Sequence, residues 1–151
     1  MNRLTFMKHT LVAAAFLLTI AALDANAQTA KDLSQRYGNP DSEGYYKVRA
    51  AVRMTVGFDD QSQASKIVIE PLYSVTGGND PHSSVMSEAR VMEILDEVAP
   101  VARRGKSLKR GIFGASCISV HFEQYEHVTI AQTIRCEFQG GGTYRLNVLW
   151  K

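Results

Sequence analysis

Four residues near the C-terminus recur at every second position: His121, Glu123, Tyr125 and His127. On one continuous strand they would share a face. Imidazole and carboxylate donors together suit zinc or copper. His121, Glu123 and His127 are therefore the candidate metal ligands, and the candidate set for a small metal-dependent or hydrolytic enzyme. The simpler reading is a polar sheet face. Residues 125–127 read as a turn that interrupts the alternation, and the closed ligand spacings that mark metal sites are absent from the sequence.

A second group is basic. Arg103, Arg104, Lys106, Lys109 and Arg110 place five cations in eight residues, with Gly105 among them. Such a loop suits phosphate, an anionic glycan or a lipid headgroup. Lys47, Arg49 and Arg53 would add a basic stripe on the outer face of an earlier strand. The alternative is a solvated loop near Glu93, Asp96 and Glu97, where surface ion pairs are worth little. Gly77, Gly78 and the triglycine at 140–142 lack the lysine and helix that make a phosphate loop, and no serine sits in a Gly-x-Ser-x-Gly setting. Cys117 with His121 or His127 would be a nucleophile pair only if its thiol were free. No catalytic set converges, and nothing in the sequence calls for a cofactor.

The compartment bears on the cysteines. Arg3 and Lys8 precede an uncharged run from Leu11 to Leu23, and Ala25-Asn26-Ala27 follows. Small residues at −3 and −1 predict signal-peptidase cleavage between Ala27 and Gln28. The run is short of the roughly 20 apolar residues a spanning helix needs. The short n-region and Ala-x-Ala ending suit a bacterial signal, so the mature chain is expected in the periplasm or secreted, with no later membrane span. Removing residues 1–27 takes the 17 Lys plus Arg and 15 Asp plus Glu of the whole chain to 15 and 14. That balance argues against nucleic acid as partner. An anionic ligand or an envelope protein remains. In an oxidising compartment Cys117 and Cys136 are expected to form one disulfide.

The elements that would position these groups follow from periodicity. Residues 28–43 read as an N-terminal helix or arm and a turn, with Leu33 and Tyr37 one helical turn apart. Tyr46, Val48, Ala50, Val52, Met54, Val56 and Phe58 alternate with mostly polar residues, which predicts a long strand bent or bulged near Ala50 and Ala51. A turn at 59–62 leads to a second strand over 65–70. After a loop at 74–83, a helix is expected over about 84–99, capped by Ser84 or Ser87, with Val91, Ile94, Leu95 and Val98 as its stripe. Residues 101–116 read as irregular.

Strands then follow at 117–124, 128–138 and 144–150. On the middle one, Val128, Ile130, Ile134, Cys136 and Phe138 share a face with Gln132 as the exception. Matching apolar faces pairs Phe122 with Ile130 and Ile118 with Ile134. That register sets Cys136 opposite Ser116. A shift by one residue pairs Cys117 with Cys136 but turns His121 and Glu123 onto the apolar face.

The expected fold is α+β: residues 44–151 as one domain, an antiparallel sheet of five to six strands with the 84–99 helix on one face, plus the short N-terminal helix. The expected role is a non-enzymatic binding or interaction module of the bacterial envelope or secretome, with the basic loop as its site. The alternatives are the His121/Glu123/His127 enzyme and a structural envelope or assembly subunit.

Overall fold

The computed structural model of the protein describes residues 27–72, 85–135 and 142–151. The expected export segment up to residue 26, the 74–83 loop, Ser84, Cys136, Phe138, Gly140 and Gly141 lie outside the described residues.

The chain runs α1 (Ala30–Tyr37), β1 (Tyr46–Arg49), β2 (Val52–Phe58), β3 (Ala64–Pro71), α2 (Glu88–Val98), α3 (Val101–Arg104), β4 (Ser107–Ala115), β5 (Ile118–Tyr125), β6 (Val128–Arg135) and β7 (Gly142–Trp150). The strands form one sheet in the order β1-β2-β3-β7-β6-β5-β4, every pair antiparallel. The α+β class holds, with seven strands rather than five or six.

One extra strand comes from the 46–58 segment. It is not a single bent strand but a hairpin that reverses at Ala50 and Ala51, with Ala51 at φ 60°. Tyr46 pairs with Met54 and Lys47 with Arg53. At these pairs even positions oppose even positions, and a bulge next to the turn then sets Arg49 opposite Val52. Tyr46, Val48, Val52 and Met54 all reach the core, and the period of two reads straight through the reversal. The other extra strand is β4. Residues 101–116 are not irregular: Pro100 starts the short α3, and β4 follows as a nine-residue edge strand. Gly111 and Gly114, with the cations Lys109 and Arg110, hide it in the sequence, because glycine and lysine are poor strand formers. Gly111 leaves room there for a side chain from the next strand. A Cβ would lie 2.7 Å from Cε1 of Phe122, whose ring covers that position from β5.

The helices form by their own local chemistry. Thr29 and Asp32 make a reciprocal capping box at α1: the Asp32 N–H donates to Thr29 Oγ1 at 3.2 Å, and the Thr29 N–H donates to Asp32 Oδ2 at 2.9 Å. Ser87 caps α2, accepting the Arg90 N–H at 3.3 Å. The α2 stripe of Val91, Ile94, Leu95 and Val98 is buried, as its spacing predicts. It joins one cluster with Leu33 of α1 and the inward residues of β1, β2, β3, β7 and β6. No residue of β4 or β5 belongs to that buried cluster, although Tyr125 packs against it.

The acidic face of α2 is tied to β1 and α1. Arg49 bridges Glu93 at 3.0 Å and also pairs with Glu97. The Tyr37 hydroxyl donates to Glu97 Oε2 at 2.7 Å, and Arg36 donates to the Glu97 carbonyl at 3.0 Å. Arg53 pairs with Glu70 at 2.8 Å and lies over the Tyr45 ring. Arg49 and Arg53 are thus ion-paired rather than an open basic stripe.

The β5–β6 register corrects the apolar-matching expectation. Ile118 pairs with Arg135, Phe122 with Ala131, Glu123 with Ile130 and His121 with Gln132. This is the shifted alignment. His121 and Glu123 do lie on the helix side of the sheet, while Phe122 faces the other side and packs against Phe113 with ring centroids 5.9 Å apart. The polar residues are tolerated because that end of the helix side is not core.

Candidate functional site

Two rows of cross-strand neighbours show where the core stops. Along one, Val56, Ile67, Val148 and Ile130 give way to Glu123 and then Arg110. Along the next, Met54, Ile69 and Leu146 give way to Gln132, His121 and Ile112. Helix α2 seals the first part of each row. Beyond it the sheet continues past the helix, and a pocket of about 560 Å³ opens between Met92 and Leu95 of α2, Arg104 of α3, and the inward residues of β4, β5 and β6. That volume falls within the roughly 300–1,000 Å³ typical of small-molecule sites. Gln132, the exception on the β6 face, marks the boundary.

The wall has a defined polar network. Ser107 Oγ donates to Glu123 Oε1 at 2.8 Å. The Tyr125 hydroxyl hydrogen-bonds the same carboxylate, and with Ser107 and the charges of Arg110 and Arg104 it holds Glu123 below the usual carboxylate range despite burial. Burial, then the bond to Glu123, pushes the Tyr125 phenol up. Glu123 is therefore an anchored anion, opposite Arg110 in the β4–β5 register.

Arg104 is the unusual member. It is only 6% exposed. Its Nε donates to the Ala99 carbonyl at 2.6 Å, and its guanidinium lies 5.8 Å from the Tyr125 ring centroid. Nη2 is buried and ion-paired with Asp96 Oδ1 at 3.6 Å, and the guanidinium also hydrogen-bonds the Tyr125 side chain.

The candidate residues are dispersed relative to the sequence reading. Of the five cations, Arg104 and Arg110 line the pocket. Lys109 lies over the Phe122 ring on the opposite face, as strand alternation requires. The Lys106 backbone N–H donates to Glu126, and Arg103 lines a separate groove with Asp32 and Arg36. Of the candidate metal ligands, His121 and Glu123 share the pocket, whereas His127 sits in the β5–β6 turn with its backbone tied to Arg104 and Lys151. Among the described residues no group of three or more His, Cys, Asp or Glu side chains is placed to hold a metal ion. No helix among them is long and apolar enough to cross a membrane.

Sequence reading missed Met92, Ile112 and Gln132 as site residues. Gln132 carried a signal, a polar break in an apolar face. Met92 and Ile112 carried none, because single exposed apolar residues are ordinary on protein surfaces. No family model, characterised protein or solved structure matches the chain.

Proposed function

We propose that the chain is an exported, non-enzymatic binding module of the bacterial envelope or secretome, and that the α2/β4–β6 pocket takes an anionic ligand. The observation that supports this reading is the pocket itself, which Arg104 and Arg110 line beside Met92, Leu95 and Ile130. Arg110 adds a second cation, largely offset by Glu123 across the strand pair. The site would hold its ligand by the positive charge of these arginines in a half-apolar cavity.

The test is a titration of isotope-labelled protein with acetate and with inorganic phosphate, followed by NMR. Perturbations confined to Arg104, Arg110, His121 and Gln132 are expected. Shifts scattered over the surface, or none, overturn the reading. Export is tested by intact mass of the protein recovered from a periplasmic fraction: residues 28–151 are expected, and an uncleaved chain in the cytosol overturns it.

The disulfide belongs to the same proposal. Cys117 sits in the β4–β5 turn and is not a free thiol. The register that pairs Ile118 with Arg135 supports Cys136 as its partner, because one further step in that register matches 117 with 136.

A further inference from the structure

The residue that export would leave at the N-terminus is built into the fold. Gln28 follows the expected cleavage point, yet it is only 8% exposed. Its Nε2 donates to the Glu97 carbonyl in the last turn of α2 at 2.7 Å, and its own carbonyl accepts the Ala64 N–H of β3 at 2.9 Å. The next residue, Thr29, bridges Gln63 and holds the capping box that opens α1. None of these contacts uses an atom that cleavage after Ala27 removes. A free N-terminal glutamine is also a reactive group. Its α-amine attacks its own side-chain Cδ, and an N–Cδ bond forms. The Cδ–Nε2 bond breaks, and Nε2 leaves as ammonia with a proton from the amine. The product is a neutral lactam, pyroglutamate. The reaction consumes Nε2, the atom that donates to the Glu97 carbonyl. The docked and cyclised states therefore exclude each other.

We infer that Gln28 is a folding-gated modification site: the folded protein keeps it as glutamine, and the lactam forms only on chains in which Gln28 is undocked. This rests on the export reading, which supplies the free α-amine, and adds the fate of that terminus. Cyclisation in the folded chain must first open the bonds to Glu97 and Ala64, so its rate follows the open fraction. A chain that cyclises before it folds has lost the donor for the Glu97 carbonyl. The lactam thus marks chains that folded late.

The experiment is a time course of intact mass on the protein recovered from a periplasmic fraction, incubated warm at neutral pH. A synthetic peptide of residues 28–37 in the same buffer is the undocked reference, because an isolated helix this short is not stable in water. Cyclisation reads as the loss of one ammonia. The recovered chain is expected to begin at Gln28 in its glutamine form. It should then lose ammonia at least about tenfold more slowly than the peptide, the factor for ~1.4 kcal/mol of opening. Asp32→Ala breaks the capping box from an exposed position and leaves Gln28 itself unchanged. That variant should cyclise about fivefold faster than the parent protein, the factor for a cap of ~1 kcal/mol. The Asp32→Ala peptide should cyclise at the parent peptide's rate; an equal acceleration there would make the effect local chemistry and overturn the gate. A recovered chain already in the lactam form, or a folded protein that cyclises at the peptide's rate, overturns the gate and leaves the export reading standing. A chain that does not begin at Gln28 overturns both.

Discussion

The two ends of the sheet are built on opposite plans. The β1-β2-β3-β7 end is covered by α1 and α2, its inward residues are wholly apolar, and its charged neighbours are matched in the Arg49–Glu93–Glu97–Tyr37 group. The β5–β4 end is uncovered. Its inward residues are His121, Glu123, Arg110 and Ile112, and its edge leaves Ile112 and Phe113 in solvent. The same alternation makes both ends. What differs is whether a helix lies above them. A covered face must be apolar, because an unpaired buried polar group is costly, whereas an open face can carry charge. Stability concentrates in the first end, and the proposed binding in the second.

The sharpest way to break this comparison is to remove equal side chains from each end. Ile67→Ala, under α2, is expected to lose about 2–5 kcal/mol of unfolding free energy in urea. Ile112→Ala is expected to stay within about 0.5 kcal/mol. Similar losses at both would show that the open end carries the fold as well.

Reduction of the proposed bridge is expected next in size, at about 3 kcal/mol for a loop of this length, read as a lower urea midpoint in reductant. Two free thiols by intact mass without reductant would end the proposal. A bridge here would staple the end that lacks a helix.

Glu97→Gln is expected to cost about 1–3 kcal/mol near neutral pH, because it weakens charged hydrogen bonds. Burial raises the Glu97 carboxyl, but Arg49 and Tyr37 outweigh it and leave it below its ordinary 4.5. A depressed folded-state value gives stability that is present above the unfolded value and lost as pH falls through the folded one. The gap between the parent and Glu97→Gln should therefore close as the pH is lowered through the carboxylate range. A gap independent of pH would mean the ion pairs are not its source.

The smallest effect is expected at Phe113→Ser, within about 0.5 kcal/mol, because its ring is largely in solvent beside Phe122. A larger loss in thermal melting would show that the outer aromatic pair holds β4 to β5.

By itself the amino-acid order determined what is local. Apolar spacing and Ser87 define α2, Leu33 anchors α1, the Asp59 turn joins β2 to β3, and Tyr144 to Trp150 define β7. The five cations and His121 and Glu123 were also legible as candidates, though not as neighbours. Tertiary structure alone decided three things. It turned 46–58 back on itself, which a period of two cannot reveal when even positions meet even ones. It recruited β4, whose glycines and cations suit a loop until Phe122 covers Gly111 and β5 pairs with it. And it set the β5–β6 register against apolar matching, because α2 stops short of that end and leaves His121 and Glu123 to face a pocket instead of a core. Alternation tells which residues share a face; only the packed helix decides whether that face is interior.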